Sequence, residues 1–477
     1  MYKLHTTYRK LLADTVTPVS IYLRIRDRYA QTVLLESSDY RGNTNTYSFI
    51  CFDPMSEVKV ENNVFTAVYP DNKVKEIQLG KERVLPSLIQ DFLNEFEVDE
   101  LDMKFVYSGL FGYQTYDIVR HYEDIEIKTF EDDERRVPEI LYHVYRYMIV
   151  VNHFNNEMFV FEHRLEGEES NLDAIIDILS NPTVPSYHFE LHGEETTNFT
   201  DEEFLDVIEK GRHHCQMGDV FQIVLSRRFQ QGFRGDEFNV YRALRSVNPS
   251  PYLFYCDYGS FKLMGSSPEA QLIIKDGQAT IHPIAGTFRR TGNDEEDARL
   301  SRELFDDPKE NAEHVMLVDL ARNDLSRHGH DVEVATFKEI QFYSHVIHLV
   351  SKVDAQIGDN TLSMELVGDT FPAGTLAGAP KHRAMQLINE YEPQNRGYYA
   401  GCIGYMDFKG NFNHAIMIRS FLSKQNVLYY HAGAGIVSRS VPASELQEVH
   451  NKLGALRKAM NTALEINKGQ KQLLNFE

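Results

Sequence analysis

The chain has 477 residues, 42% of them hydrophobic and 25% charged, which is ordinary globular composition and enough length for two domains. Its formal charge of −22 excludes a nucleic-acid footprint, because phosphate binding needs basic surface. No apolar run approaches the ~18 residues of a membrane-spanning helix, and Met1-Tyr2-Lys3-Leu4-His5 lacks a signal segment, so a cytoplasmic location is expected.

Residues 1–165 alternate apolar and polar side chains over short stretches, as in Thr32-Val33-Leu34-Leu35-Glu36. Turn clusters such as Arg41-Gly42-Asn43 punctuate them, so this β-rich region is read as one unit with a helix near 84–97. The acidic stretch 123–136 reads as a solvated loop. Residues 166–199, broken by Pro182 and Pro185, read as a linker or peripheral helix. Thr200-Asp201-Glu202-Glu203 then forms a capping box opening a helix that ends near Gly218.

A second unit, 200–463, continues with the strand Val220–Phe229 and further strands to about 290. Helices follow at 308–322, 361–370 and 379–391, then strands at 398–408, 413–423 and 427–437. A last helix spans 444–463, and 464–477 is read as a loose tail. Strands arriving in runs, not in strict βαβ alternation, predict an α+β fold with large antiparallel sheets and flanking helices. The cysteines Cys51, Cys215, Cys256 and Cys402 lie far apart without a CxxC pair, which argues for buried thiols over zinc or disulfides.

Two pairs of glutamates sit at i,i+3 spacing in predicted first helical turns: Glu310 with Glu313, and Glu445 with Glu448. Together they can surround a hard cation such as Mg²⁺. Each pair alone equally fits a helix start that complements the helix dipole. A di-iron site is excluded, because no histidine follows any of these glutamates at i+3.

Three segments rich in small residues read as glycine-bearing turns: Pro283–Thr287, Pro372–Lys381 and Ala432–Gly435. Arg419, in the apolar strand Ala415–Arg419, needs an anionic partner. His348 lies among apolar neighbours, and Glu269 follows the turn Ser266-Ser267-Pro268. Singly, each of these residues has an ordinary structural explanation.

In this order the segments resemble the chorismate-utilising enzyme family, densely from about 200 to 460, and within it the anthranilate synthases. The resemblance implies that Glu313 and Glu448 hold Mg²⁺, with Glu310 and Glu445 contacting it directly or through water. It implies that Gly286, Thr287, Tyr405, Arg419 and Gly433-Ala434-Gly435 hold the substrate, with Thr375 and Lys452 nearby. Glu269 matches the acid that protonates the departing C4 hydroxyl, and His348 the group that assists pyruvate elimination.

Gln222 stands where isochorismate and salicylate synthases carry a lysine base, so ammonia is favoured over water as nucleophile. Ala285 stands where many aminodeoxychorismate synthases carry lysine. Glu36 and Ser37, with Asn248, Pro251, Tyr252 and Leu253, resemble the elements that bind inhibitory tryptophan; Trp is itself absent from the chain. Leu253 replaces a commoner methionine, Ala377 a commoner serine, and Phe288-Arg289-Arg290 a commoner Arg-Pro-Arg. No cysteine lies in a Gly-x-Cys-x-Gly turn, so a separate glutamine amidotransferase subunit is expected to supply ammonia. The rival readings are the large component of aminodeoxychorismate synthase and a non-catalytic subunit that binds tryptophan or chorismate.

Overall fold

The computed structural model describes residues 1–37, 46–128, 133–342, 346–358 and 361–473, except the side chains of Thr287, Lys309 and those beyond 466. The turn at 41–43, part of the acidic stretch, and residues 474–477 therefore lie outside the described residues. Alternating side chains give every long strand two faces, and both faces are used. Two antiparallel sheets pack face to face, and helices cover their outer sides.

The first sheet runs in the order Tyr2–Leu12, Glu157–Arg164, Ile140–Asn152, Tyr47–Glu61, Val33–Glu36, Tyr252–Asp257. It continues through Phe261–Ser267, Ser420–Lys424, Val427–Val437, Gln222–Gly235 and Phe189–Thr197. The second sheet begins Val74–Gln78, Val64–Val68, then uses Tyr47–Glu61 and Ile140–Asn152 again. It proceeds through Leu110–Gln114, Cys402–Met406, Phe412–Ile416, Ala270–Lys275 and Gln278–Ile281 to Val346–Ile357. That last strand also carries Ile284–Arg289 and Gly329–Phe342.

The strand Tyr47–Glu61 serves both sheets because its register shifts at Pro54, whose missing N–H suits a bulge. Ladders between Val33–Glu36 and Tyr252–Asp257, and between Leu110–Gln114 and Cys402–Met406, run across the sequence boundary placed between the two units.

Period-2 alternation sorts the core into layers. On neighbouring strands Phe254, Cys256, Leu263 and Leu422 point between the sheets, where Phe111, Tyr113 and Ile403 meet them. Leu253, Tyr255, Met264 and Phe421 point outward beneath the helices Phe238–Val247 and Pro442–Leu473. The second sheet buries its outer face under Leu85–Leu93, Pro308–Leu325 and Ser363–Thr370. All four cysteines are buried free thiols. No helix of the described residues is long and apolar enough to cross a membrane.

Thr200 caps the helix Asp201–Met217 with the reciprocal Glu203 bond that its capping box predicts. Several segments differ from the sequence reading: Pro18–Ile25 and Phe238–Val247 are helices within stretches read as strand, and the strands Gly329–Phe342 and Val346–Ile357 were not placed. Within 166–199 the peripheral helix is Leu172–Ser180, but Phe189–Thr197 is an edge strand, buried at Phe189 and exposed over most of its length, so without clear alternation. A helix at Asp294–Asp306, capped by Asn293, was not anticipated. The final helix begins at Pro442 and continues to Leu473, past the end expected at 463.

Candidate active site

The chain passes from one sheet to the other at two adjacent corners. Residues 268–269 link Phe261–Ser267 to Ala270–Lys275, and 417–419 link Phe412–Ile416 to Ser420–Lys424. The pairs Gly265 with Ser420 and Ala270 with Ala415 bracket both corners. Two backbone bonds close them: Ser266 N–H to the Arg419 carbonyl at 3.1 Å and Ile416 N–H to the Glu269 carbonyl at 3.0 Å. Arg419 has φ of +49°, a left-handed conformation costing about 1–2 kcal/mol for a residue with a Cβ. The corner holds it there.

Glu269 and Arg419 therefore emerge side by side. Desolvation pushes the Glu269 carboxyl up to about 8, against opposing pulls from the Thr375 hydroxyl and Arg419. Thr375, in the short helix Gly374–Ala377, donates its hydroxyl to Glu269 Oε1 at 3.0 Å. Burial lowers the pKa of Arg419, and the neighbouring Glu269 charge opposes that shift. Since Glu269 is protonated at neutral pH, Arg419 is a desolvated cation ready for an anionic ligand.

The Glu310/Glu313 pair lies in the first turns of Pro308–Leu325, where Asp307 Oδ1 accepts from the Glu310 N–H at 3.0 Å. Gln222 Nε2 donates to Glu313 Oε1 at 2.8 Å. Gly286 has φ of +75°, and a Cβ there would come within 3.0 Å of Glu310 Oε2. Its carbonyl accepts from His348 Nδ1 at 3.2 Å. A carbonyl can only accept, so Nδ1 carries the proton and Nε2 keeps its lone pair. Burial lowers the His348 pKa to about 4, so the ring stays neutral.

Two of the segments read as turns are strand instead. Gly433, Ala434 and Gly435 lie within Val427–Val437, and 284–287 lie within Ile284–Arg289. The glycines serve close strand packing: a Cβ on Gly435 would sit 2.6 Å from Gln222 Nε2, and one on Gly433 would sit 2.8 Å from the Leu225 carbonyl. Ala434 points into the helix-covered core and offers only its backbone to the site. Thr287 is paired with His348 in the ladder; its side chain lies outside the described residues. Lys452 donates to the Gly433 carbonyl at 2.8 Å and pairs with Glu448 at 2.7 Å. Glu445 is buried one turn earlier.

Contacts thus run from Glu448 through Lys452, the glycine strand and Gln222 to Glu313, and from Glu310 on the same helix turn to Gly286 and His348. Tyr405 is not brought to this group. Its ring packs against Phe49 and Phe111 at the interlayer core, 5.5 and 5.7 Å between centroids. Among the described residues no three His, Cys, Asp or Glu side chains converge as a ready-made metal cage. The donors that do adjoin, Glu310 and Glu313 beneath Gly286, are hard carboxylates. They fit Mg²⁺, which takes one or two protein carboxylates and completes its shell with water and substrate oxygens.

The sequence reading missed the support beneath these loops. Arg396 is fully buried and donates to Glu392, to the Leu376 carbonyl at 2.6 Å and to the Val224 carbonyl at 2.7 Å. Glu392 accepts from Ser226 N–H at 2.8 Å. This pair joins the Thr375 loop to the strand that carries Gln222. Its only sequence signal is an i,i+4 charge pair, which surface helices also show.

A second polar group forms where Val33–Glu36 meets Tyr252–Asp257. Glu36, opposite Leu253, is buried and accepts from the Tyr241 hydroxyl at 2.6 Å and Arg245 Nε at 3.0 Å. Asn248 caps the helix Phe238–Val247, and its carbonyl accepts from the Ser266 hydroxyl. Ser37, Pro251 and Tyr252 are half-buried along the same edges. Of the residues named by resemblance, Glu36, Asn248 and Leu253 lie in or beside this group; Tyr241 and Arg245, which bind Glu36, were not named.

The model of the family described as chorismate binding enzyme matches residues 31–458. Anthranilate synthase component 1 of Aquifex aeolicus is 38% identical, over 97% of this chain and 96% of that protein. That of Bacillus subtilis is 37% identical, over 94% and 91%. The crystal structure of anthranilate synthase component I from Streptococcus pneumoniae superposes with a TM-score of 0.76 at 31% identity, covering 94% of this chain and 99% of that one. The menaquinone-specific isochorismate synthase of Escherichia coli shares the fold, with a TM-score of 0.72 at 18% identity over 96% and 95%. A match of this extent places the protein in the chorismate binding enzyme family.

Proposed function

We propose that the chain is the large component of an anthranilate synthase, converting chorismate and ammonia to anthranilate, pyruvate and water at the first committed step of tryptophan biosynthesis. The observation that carries this reading is the pairing of a protonated Glu269 with Arg419, together with the neutral Gln222 bonded to Glu313. Arg419 takes a substrate carboxylate. Glu269 gives its proton to the C4 hydroxyl, which leaves as water while nitrogen bonds C2. An amide cannot deprotonate water, so Gln222 leaves ammonia as the nucleophile. His348 Nε2 then accepts the C2 proton as the carbon–oxygen bond to the enolpyruvyl group breaks, and pyruvate departs from an aromatic ring.

Glu310, Glu313, Glu445 and Glu448 would hold Mg²⁺, which would supply a hard cation to fix and polarise the ring carboxylate. Ammonia comes from a glutamine amidotransferase partner. Burial raises the thiols of all four cysteines, as with Cys215 at about 11, so none suits glutamine hydrolysis. The relatives' designation as component 1 agrees with a second component. Tryptophan is the proposed inhibitor, its ammonium group meeting Glu36. The small Ala285 favours this reading over aminodeoxychorismate synthesis.

The test is a fluorescence assay of the purified chain with chorismate, ammonium chloride and Mg²⁺, with products identified by chromatography. Anthranilate that disappears with EDTA and returns with Mg²⁺ is the expected result. Aminodeoxychorismate or isochorismate as product overturns the roles given to Ala285 or Gln222, and binding without turnover overturns catalysis.

A further inference from the structure

The catalytic corner and the Glu36 pocket share a residue that neither reading uses. Ser266 is completely buried at the end of Phe261–Ser267. Its hydroxyl donates to the carbonyl of Asn248, whose side-chain amide lies 3.4 Å from the same oxygen. Its N–H donates to the carbonyl of Arg419 at 3.1 Å. One residue thus grips the end of the helix bearing Tyr241 and Arg245, both bound to Glu36, and the strained backbone of the substrate-binding arginine. A left-handed arginine persists only where its surroundings over-determine it, and the Ser266 N–H is one of the bonds that do so.

We infer that Ser266 is a positioning residue: it holds Arg419 in its substrate-binding conformation and couples that conformation to occupancy of the Glu36 pocket. Coupling rests on the proposal that tryptophan binds there; positioning does not. A ligand against Glu36 displaces Tyr241 and Arg245, shifting the end of the helix Phe238–Val247 and with it Asn248. Ser266 follows through its hydroxyl. Its N–H then releases or turns the Arg419 carbonyl, and the guanidinium leaves the substrate carboxylate. The path runs from Glu36 along the helix to Asn248, Ser266 and the strained Arg419.

The experiment uses the full-length chain with Mg²⁺, ammonium chloride and chorismate, comparing the parent with Ser266→Ala. The chorismate KM is measured with and without saturating tryptophan, tryptophan binding by calorimetry, and folding by thermal unfolding. The substitution keeps the N–H that holds Arg419 and removes the hydroxyl bond that anchors it to Asn248; loss of that buried anchor predicts a rise in KM of about tenfold with kcat within about twofold. The factor by which tryptophan raises KM falls towards one, while tryptophan still binds. Asn248→Ala, which spares the accepting carbonyl, moves both readings the same way by less and serves if Ser266→Ala does not fold.

An unchanged KM overturns the positioning role. A raised KM with the tryptophan factor intact overturns the coupling alone. A parent chain that does not bind tryptophan overturns the inhibitor reading and the coupling with it, leaving positioning to be judged on KM.

Discussion

A carboxyl group that keeps its proton to about pH 8 is useful to an enzyme and costly to a fold. For Glu269 the expected outcome is that kcat falls as pH rises through about 8, as the acid is lost. Glu269→Gln should remove that limb and lower kcat by about 10²–10⁴-fold while chorismate still binds. The folded chain holds a proton that the unfolded chain releases near the ordinary value of about 4.3. Stability is therefore lost progressively as pH rises from there through about 8. Calorimetry across that window should show a smaller fall in Tm for Glu269→Gln than for the parent. His348, lowered to about 4, is neutral throughout the working range. Replacing it by alanine should release an aminated, non-aromatic intermediate in place of anthranilate, which chromatography resolves.

At the level of elements, the glycine-bearing strand Val427–Val437 sets how close Gln222 comes to Glu313. A methyl group at Gly435 meets the Gln222 amide at 2.6 Å, so Gly435→Ala should displace that side chain while leaving the ladder hydrogen bonds intact. A weakened apparent affinity for Mg²⁺, read by titrating activity against the metal, is expected with little change in Tm. Local signals made much of this legible in sequence. The Asp307 cap, the capping box at Thr200 and the i,i+3 glutamates lie within a few residues of the features they specify. The corners at 268–269 and 417–419 were not legible, because a strand changing sheets is set by partners more than a hundred residues away. Tyr405 was placed in the site by resemblance, yet strand alternation turns it toward Phe49 and Phe111. Arg396 carried no sequence signal beyond its i,i+4 spacing from Glu392, because its other acceptors are carbonyls of separate elements.

The whole molecule is built around two strands from its first third, Tyr47–Glu61 and Ile140–Asn152, each of which belongs to both sheets. A chain beginning at residue 166 would leave one edge of Tyr252–Asp257 and one of Cys402–Met406 unpaired, with interlayer residues such as Phe254 and Ile403 uncovered. Such a fragment should aggregate on expression, since exposed apolar edges recruit other chains. Sedimentation of the purified fragment checks this. If the two pieces 1–165 and 166–477 are instead made together, neither has a complete sheet until it meets the other. Reconstitution should then be second order, its initial rate scaling with the product of the two fragment concentrations. The same shared strands that make the protein indivisible as a fold would make it a split enzyme whose activity reports an encounter.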